Sequence, residues 1–287
     1  MRYSILIPTY RRPQSFAATL KSLFSLDLTR VVEVFVHVTG SRAGSLDEHC
    51  EWLIGRLEST GVLVHVADDF ADLAEAKNAA IDKCAGVWLL ILDDDVLINE
   101  KYMSLLRWRV TSRSTESKVM AVTGTVHTPF EAGYAQWSQE KCNKVLKRED
   151  TYQRLTVAED GRVDWGDKVQ VFRYGYESTC SLGYFIGGAV LLRMGDGCRF
   201  DLAFGRVVYG EEIDYSLQIN AAGGRIAFAI GAECLHFPCP TGGSKPATKK
   251  ELVAARQKNF DYLLRKWGLS DKPAYGFEAR DAARALA

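Results

Sequence analysis

The chain has no surplus of charge of either sign and no long hydrophobic run. Its 287 residues carry 36 Lys and Arg against 36 Asp and Glu, whereas nucleic-acid-binding chains usually show a basic surplus or stripe. The longest apolar runs, Ala85–Leu92 and Tyr184–Leu192, are far shorter than the roughly 20 residues that span a membrane. The first apolar run has no small-residue cleavage site and continues into Pro8, so no signal peptide is expected. These absences predict a soluble, cytoplasmic protein with no bulk attraction to nucleic acid.

The cysteines form no pattern typical of a disulfide framework or a metal site. They are odd in number and scattered, without a Cys-x-x-Cys pair: Cys50, Cys84, Cys142, Cys180, Cys198, Cys234 and Cys239. We interpret them as small buried hydrophobes in a reducing compartment. Apolar residues are 47% and charged residues 25% of the chain, near the averages for soluble globular proteins. Disorder, collagen and coiled coil are therefore excluded.

Strand and helix patterns alternate along the first hundred residues. The predicted strands are Tyr3–Ile7, Val31–Val38, Val62–Val66 and Val87–Leu92. The predicted helices between them are one that begins at Pro13, Leu46–Leu57 and Leu73–Cys84. Strands separated by helices of this length indicate βαβ crossovers and a parallel sheet.

The regular alternation ends near Tyr102. Beyond it, the patterns predict helices over Tyr102–Val110 and Glu211–Ala221, a helix after Pro246, and strands over Val119–Val126, Phe185–Leu192 and Arg225–Ile230. The polar stretch 129–180 has no clean period. Because no linker or internal repeat divides the chain, we expect one α/β domain with an added C-terminal half.

Three acidic residues, Asp93 to Asp95, directly follow the most apolar predicted strand. In open α/β sheets, ligands bind at the carboxyl ends of the strands. In an extended chain, Asp93 and Asp95 share one face and Asp94 opposes them. Two carboxylates, with water and phosphate oxygens completing the shell, are a usual way to hold Mg²⁺ or Mn²⁺. The triplet therefore predicts a divalent-cation site, with a solvated acidic turn or a helix cap near Asn99 as the alternative.

Six short motifs follow one another between residues 3 and 240. They are Ser4–Pro13, Ala76–Ile81, Leu92–Asp95, Gly187–Leu192, Gly210–Tyr215 and His236. Each motif alone is weak, but the ordered set at these separations is specific. In this set the chain resembles a family 2 glycosyltransferase of the GT-A fold, which has a nucleotide-sugar-binding half and an acceptor-binding half.

The resemblance implies a fold and a division of the chain. The fold is α/β of the GT-A type: a Rossmann-like, mostly parallel sheet flanked by helices, with a mixed acceptor-binding half and C-terminal helices. The glycosyltransferase domain covers residues 1–245, of which 1–98 bind the nucleotide sugar and 99–245 form the acceptor and catalytic half. Residues 246–287 are a C-terminal helical extension.

The resemblance also implies a cofactor, Mn²⁺ or Mg²⁺. Asp95 coordinates the ion, Asp93 holds the ribose or the ion's water shell and is a second ligand candidate, and His236 joins the metal or the phosphate. A divalent ion on the diphosphate stabilises the negative charge that develops as it leaves. A core histidine beside Phe237 is an equally good interpretation of His236.

The nucleotide-sugar site is assigned, by the same resemblance, to residues from several motifs. Tyr10 can stack on the base and Arg11 or Arg12 can face the phosphates, although an ordinary turn with exposed arginines gives the same sequence. Lys77 keeps the charge of the family's arginine without its bidentate fork, and a solvated helix face competes with this role. The glycine pair lets the backbone approach the donor sugar or acceptor, or only permits a bend. The full predicted set is Pro8, Thr9, Tyr10, Arg12, Thr39, Asp69, Lys77, Asn78, Asp93, Asp94, Gly187 and Gly188.

Three acidic residues begin the helix predicted at Glu211. An acceptor hydroxyl needs a carboxylate to take its proton, and the register of the motif aligns Glu212 with the family's base. Glu211 and Asp214 are three residues apart and share a helix face, so either can serve instead. Acidic residues also suit a helix N-terminus on dipole grounds alone. A single carboxylate base without a second, nucleophilic carboxylate implies transfer with inversion.

The chain departs from the family pattern after the second strand. The family usually has an acid there that binds the uracil edge, whereas this chain has Thr39, which supplies no charged acceptor. Asp68 or Asp69, after the third strand, can take over base recognition. The Gln-x-x-Arg-Trp element of processive synthases is also missing, so transfer of a single sugar is expected.

The predicted function is metal-dependent, inverting transfer of one sugar from a nucleoside-diphosphate sugar, with a UDP-sugar as the expected donor. The acceptor is a hydroxyl of a glycan, a lipid-linked or a small molecule, as in polysaccharide biosynthesis. No nucleic-acid partner or membrane span is expected; peripheral association at the inner face of the membrane and the oligomeric state stay open. The alternatives are a sugar nucleotidyltransferase, which would want a Gly-rich phosphate loop that Pro8–Arg12 does not form, and a non-catalytic nucleotide-sugar-binding protein.

Overall fold

The computed structural model describes residues 1–111, 118–127, 151–152, 156–157, 163–164, 169–170, 181–182, 185, 188–205, 210–236 and 248–268. Within these ranges, the chain forms a central sheet with helices on both faces. No helix in the described ranges combines the length and apolar character needed to cross a membrane.

The N-terminal part of the chain forms the parallel region of the sheet. Its elements are β1 (Tyr3–Thr9), α1 (Pro13–Leu23), β2 (Val31–Thr39), α2 (Glu48–Glu58), β3 (Leu63–Phe70), α3 (Leu73–Lys83) and β4 (Trp88–Leu92). β1 pairs in parallel with both β2 and β4, and β2 pairs in parallel with β3. This gives the strand order β3-β2-β1-β4 and confirms the predicted parallel sheet.

The remaining elements extend the sheet with mixed pairing. They are β5 (Val96–Leu97), α4 (Glu100–Thr111), β6 (Val119–His127), β7 (Thr151–Tyr152), β8 (Thr156–Val157), β9 (Val163–Asp164), β10 (Val169–Gln170), β11 (Ser181–Leu182), β12 (Ala189–Arg193), α5 (Glu211–Ala221), β13 (Arg225–His236) and α6 (Lys249–Trp267). β12 runs antiparallel between β4 and β6, and β13 runs parallel to β6. The sheet continues as β4-β12-β6-β13, with β5 and β11 both pairing to β13. β7 with β10 and β8 with β9 form two separate two-stranded sheets.

Alternate residues of β1 contribute to two hydrophobic clusters on opposite faces of the sheet. Tyr3, Ile5 and Ile7 pack with residues of α1, α2 and α4. Leu6 belongs to the other cluster, with residues of α3 and α5. This period of two is what a strand covered on both faces requires. β1 and β4 are therefore buried on both faces, whereas the edge strand β3 is partly exposed along its length.

Helix boundaries follow from local capping chemistry. Asp47 and Asp72 accept hydrogen bonds from the first turns of α2 and α3, which satisfies backbone donors that have no partner inside the helix. Thr248 and Glu251 form a capping box at the start of α6, and Gly268 ends that helix in a left-handed conformation. The C-terminal helix expected from the sequence is thus confirmed, while the division at residue 245 stays a prediction.

Three predicted strand boundaries were wrong. The strand expected to end at Val66 continues to Phe70, so Asp68 and Asp69 lie within β3 and not after it. The strand expected over Phe185–Leu192 begins only at Ala189, because Gly188 has a φ of +106° and breaks the extended backbone. The strand expected to end at Ile230 continues to His236, where its end pairs with β5. The extension of β13 matters for function because it carries His236 to the same edge of the sheet as the end of β4.

Candidate active site

The carboxyl ends of β1, β2, β4 and β13 lie at one edge of the sheet. Thr9 ends β1, Thr39 ends β2, Asp93 follows β4 and His236 ends β13. These four strands point the same way, since β6 links β13 to β12 and β12 is antiparallel to β4. The fold therefore gathers most of the predicted site residues at the edge where α/β sheets bind ligands.

The acidic triplet forms a turn and not an extended segment. The amide of Asp93 donates to the carbonyl of Gly188 at 2.8 Å, and the amide of Val96 donates back to the Asp93 carbonyl at 3.2 Å. The expectation of an extended backbone that puts Asp93 and Asp95 on one face was therefore wrong. Burial, and next the charge of Asp95, raise the pKa of Asp93, so the two carboxylates still interact.

Arg12 joins the other two acids of the triplet. Its Nη1 lies 3.1 Å from Asp94 Oδ1 and 2.8 Å from Asp95 Oδ2. Thr9 Oγ1 donates to Asp94 Oδ2 at 2.7 Å. Burial raises the pKa of Asp94 to about 7, although the Arg12 charge opposes the shift. Arg12 is thus a partner of the triplet and not an exposed residue of an ordinary turn.

His236 contacts one carboxylate oxygen of Asp95, and Arg12 contacts the other. Its Nε2 lies 3.3 Å from Asp95 Oδ1. Burial disfavours the imidazolium, but the hydrogen bond to Asp95 and the charges of Asp95 and Asp93 outweigh burial and raise the pKa of His236. The side chain is 28% exposed, so it borders the accessible edge and is not a histidine enclosed in the core.

Lys77, on α3, lies buried between the two halves of the site. Its Nζ is 3.3 Å from Glu211 Oε1 and 3.9 Å from Glu212 Oε1, and it sits over the ring of Phe200 at 4.6 Å. Burial disfavours its charge, but Glu211, Glu212 and Asp93 together outweigh burial and raise its pKa. Lys77 is therefore a buried cation shared by acids, which excludes the solvated helix face.

The two glutamates at the start of α5 have different surroundings. Glu211 is 2% exposed, and its Oε2 has no hydrogen-bond partner among the described residues. Burial raises its pKa, while the Lys77 charge opposes the shift. The side chain of Glu212 is 25% exposed. Glu212 is therefore the one of the pair that a solute can reach from outside.

Asp214 is not brought to this cluster. Its carboxylate is buried and accepts hydrogen bonds from Trp267 Nε1 at 2.8 Å and from Gln218 Nε2 at 2.8 Å, and Lys266 Nζ lies 2.7 Å from it. The side chain thus links α5 to α6. Sequence reasoning missed Trp267 and Lys266, because no local pattern indicates a partner 53 residues away from Asp214.

Asn78 is also engaged inside the protein. Its Nδ2 donates to the carbonyl of Phe200 at 2.8 Å, and its Oδ1 accepts from the amide of the same residue at 2.9 Å. The side chain anchors the segment that carries the ring beneath Lys77. Both polar groups of Asn78 thus bind the backbone of Phe200, and its predicted contact with the nucleotide stays a prediction.

Tyr10, Thr39 and Asp69 meet beside the ends of β1, β2 and β3. A Cβ placed on Gly40 would lie 3.5 Å from the Tyr10 ring, and Thr39 Oγ1 lies 3.4 Å from the Thr9 carbonyl. Asp69 has a φ of +65°, and its amide donates to the Gly40 carbonyl at 2.9 Å. An exposed carboxylate, held at a positive φ that is uncommon outside glycine, thus lies next to the turn that lacks an acid.

The last predicted residues have simple placements. Pro8 is buried within β1, opposite His37 of β2. Gly188 precedes β12, and its carbonyl binds the start of the acidic triplet. Gly187 lies outside the described residues.

Comparisons with known proteins agree with this geometry. Residues 4–112 match the model of the family described as glycosyl transferase family 2. No curated protein matches the chain. The resemblance to a family 2 glycosyltransferase of GT-A fold is confirmed.

Solved structures of GT-A type cover the whole chain. GalNAc-T7 with UDP, GalNAc and Mn²⁺ has a TM-score of 0.61 at 15% identity, covering 99% of this chain and 54% of that one. S. aureus TarS 1–349 in complex with UDP-GlcNAc has a TM-score of 0.56 at 12% identity, covering 100% and 72%. Mannosyltransferase PcManGT from Pyrobaculum calidifontis, in complex with GDP-Man and Mn²⁺, has a TM-score of 0.51 at 16% identity, covering 100% and 81%. The GT-A fold therefore extends beyond residue 112, and the chain spans about half the length of GalNAc-T7.

The side chains at the strand ends of this GT-A fold suit a divalent cation. Asp93 and Asp95 offer carboxylate oxygens and His236 an imidazole nitrogen, a mixed set that Mn²⁺ accepts. Asp95 and His236 are already adjacent. The pKa of Asp93 is raised first by burial and next by the charge of Asp95, and a cation would favour its ionised form. No cluster of three or more His, Cys, Asp or Glu side chains is preformed among the described residues. The donor chemistry of these three residues fits the ion.

Proposed function

We propose that the chain is a metal-dependent, inverting glycosyltransferase that moves one sugar from a nucleoside-diphosphate sugar to an acceptor hydroxyl. The observation that carries the proposal is the contact of Lys77 with Glu211 and Glu212. It joins a helix of the nucleotide-binding half to the acids expected to activate the acceptor, at the sheet edge that bears the acidic triplet. The acceptor classes remain a glycan, a lipid-linked or a small molecule.

The donor diphosphate is proposed to lie over the ends of β1 and β4. Asp93, Asp95 and His236 would hold Mn²⁺ or Mg²⁺ there, and the bound ion supplies Lewis-acid stabilisation of the departing diphosphate. Arg12, held by Asp94 and Asp95, directs a guanidinium at the same region, where paired donors suit phosphate oxygens. Tyr10 offers a ring for the base, and Asp69 offers the carboxylate that the turn at Thr39 lacks.

Glu212 is the proposed general base. A base must reach the proton that it abstracts, and Glu212 is the partly exposed member of the pair beside Lys77, whereas Glu211 is buried and Asp214 is bound by α6. With one accessible base, the acceptor hydroxyl attacks the anomeric carbon from the face opposite the diphosphate. The bond to the diphosphate breaks as the new glycosidic bond forms, and the configuration inverts.

A panel of nucleotide sugars tests the proposal. Purified protein is screened by thermal shift with UDP-, GDP-, TDP- and CMP-sugars, each with Mn²⁺, with Mg²⁺ and with EDTA, and release of the free nucleotide is followed. We expect a metal-dependent shift with one donor class and slow release of nucleoside diphosphate. Turnover of a nucleoside triphosphate would instead indicate a nucleotidyltransferase, and binding without release would indicate a non-catalytic binding protein.

Two matched variants test the assignment of the base. Glu212→Gln should retain donor affinity and lose roughly 10²- to 10⁴-fold in transfer rate, the usual contribution of a general base. Glu211→Gln, the neighbouring isosteric change, should lose less. If Glu212→Gln transfers at the wild-type rate while Glu211→Gln does not, the base is Glu211.

A further inference from the structure

We propose that α6 helps to form the catalytic site. Its residues Trp267 and Lys266 are positioning residues for the proposed base. These residues hold the first turn of α5, and with it Glu211 and Glu212, against Lys77. The inference rests on the proposed function, because it concerns the placement of that base.

The link passes through Asp214. One oxygen of this buried carboxylate, Oδ1, accepts from Trp267 Nε1 at 2.8 Å and lies 2.7 Å from Lys266 Nζ. The other oxygen, Oδ2, accepts from Gln218 of its own helix at 2.8 Å. Of these three partners, only Trp267 and Lys266 come from another element. The last turn of α6 therefore determines where the Asp214 carboxylate lies relative to α6.

Asp214 lies less than one helical turn from the glutamates. An α-helix has 3.6 residues per turn, and Asp214 follows Glu212 by two positions and Glu211 by three. The amide of Asp214 also bonds to the carbonyl of Gly210 at 2.8 Å, within the first turn of α5. A shift of Asp214 therefore moves the backbone that carries both glutamates.

The end of α6 is itself firmly fixed. Asp201 accepts from Tyr262 at 2.7 Å and from Lys266 at 2.7 Å. Buried Asn259 donates to the carbonyl of Phe204 at 3.0 Å. An apolar cluster closes the contact between α5, α6 and the 202–204 turn; it contains Phe204, Ile213, Leu217, Leu263 and Leu264. The contacts of α6 with Asp201 and with Phe204 thus fix the position of its last turn, which carries Lys266 and Trp267, independently of Asp214.

Trp267→Phe provides the direct test, because it keeps an aromatic ring and removes the N–H donor. In the full-length chain we expect donor affinity within about twofold of wild type and kcat lowered by roughly tenfold to a hundredfold, the effect of a small misplacement of a reacting group. Lys266→Met should act in the same direction and Lys266→Arg should restore part of kcat. Gln257→Ala, an exposed change on α6, is the matched control and should leave kcat unchanged.

A readout that does not depend on activity accompanies the kinetics. Hydrogen exchange of the first-turn amides of α5 should be faster in Trp267→Phe and Lys266→Met than in Gln257→Ala. Wild-type kcat and unchanged exchange in both variants would overturn the inference, as would equal changes in kcat and donor affinity. If Trp267→Phe does not fold, Lys266→Met carries the same test.

The two proposals fail in different ways. A wild-type protein that binds and turns over no nucleotide sugar contradicts the proposed function. An active wild type whose kcat survives both changes in α6 contradicts only the positioning role.

Discussion

Lys77 keeps a positive charge in the interior because three acids share it. The side chain is 3% exposed and lies between Glu211, Glu212 and the nearby Asp93. An ammonium without partners at this depth would lose its proton, since burial strongly disfavours the charged form. The ion pair therefore depends on the folded arrangement of α3 and α5, and it couples stability to the geometry of the site.

Lys77→Met should lower the free energy of unfolding by about 3–5 kcal/mol, the cost of leaving buried charges without a partner. Lys83→Met, on the exposed face of the same helix, is the matched control and should stay within about 0.5 kcal/mol of wild type. Urea unfolding curves measure both effects. The double variant Lys77→Met/Glu211→Gln should recover part of the loss, and strict additivity in this cycle would show that the pair is not coupled.

At the residue scale, the sequence identified the acids and cations of the site better than it identified their partners. Lys77 and Asn78 were expected to meet the nucleotide, yet their partners are Glu211 and Phe200, 134 and 122 residues away. A local motif shows which side chains are present, but it does not indicate which distant segment of the chain will contact them. Asp214 was a base candidate on helical spacing alone, and its bonds to α6 could not be inferred from its own helix.

At the element scale, local patterns predicted the strands and helices of the parallel region because each carries its own signal. β4 is a run of five buried apolar residues, and α2 and α3 begin at aspartate caps. The two-residue strand β5 has no such signal and exists through its pairing with the end of β13. The extension of β13 to His236 was missed for the same reason, since it depends on a partner elsewhere in the chain.

Two glycine substitutions distinguish helix propensity from backbone strain. Gly55 lies on the exposed side of α2 with open space around its Cβ position, so Gly55→Ala should raise the free energy of unfolding by about 0.5–1 kcal/mol. Gly188 has a φ of +106°, which residues with a side chain rarely adopt. Gly188→Ala should therefore lower the free energy of unfolding by about 1–3 kcal/mol. Chemical denaturation of the two variants gives opposite signs; equal signs would contradict one of the two backbone assignments.

At the scale of the whole molecule, a buried histidine lies between the sheet and α3. His37 of β2 is 1% exposed, stacks on Phe70 at 4.6 Å, and donates from Nδ1 to the carbonyl of Ala76 at 2.7 Å, directly before Lys77. Burial lowers its pKa below 6.5, and the positive charges of Lys83 and His65 act in the same direction, while the Ala76 carbonyl opposes them. The folded protein therefore holds this imidazole neutral between the sheet and α3.

This histidine should make the fold acid-sensitive. Because the pKa of His37 is lower in the folded than in the unfolded state, the unfolded chain binds more protons below pH 6.5. The stability contributed by neutral His37 is fully present above that pH and is lost, at up to about 1.4 kcal/mol per pH unit, as the pH falls towards the folded-state pKa. Urea unfolding in a series of buffers from about pH 7.5 to 5 measures this slope.

His37→Gln, which keeps an N–H donor but cannot titrate, should have a shallower slope than wild type. His49→Gln, on the exposed face of α2, should have the same slope as wild type. Parallel curves for wild type and His37→Gln would mean that the imidazole can charge in place, and that the contact between β2 and α3 is open to water.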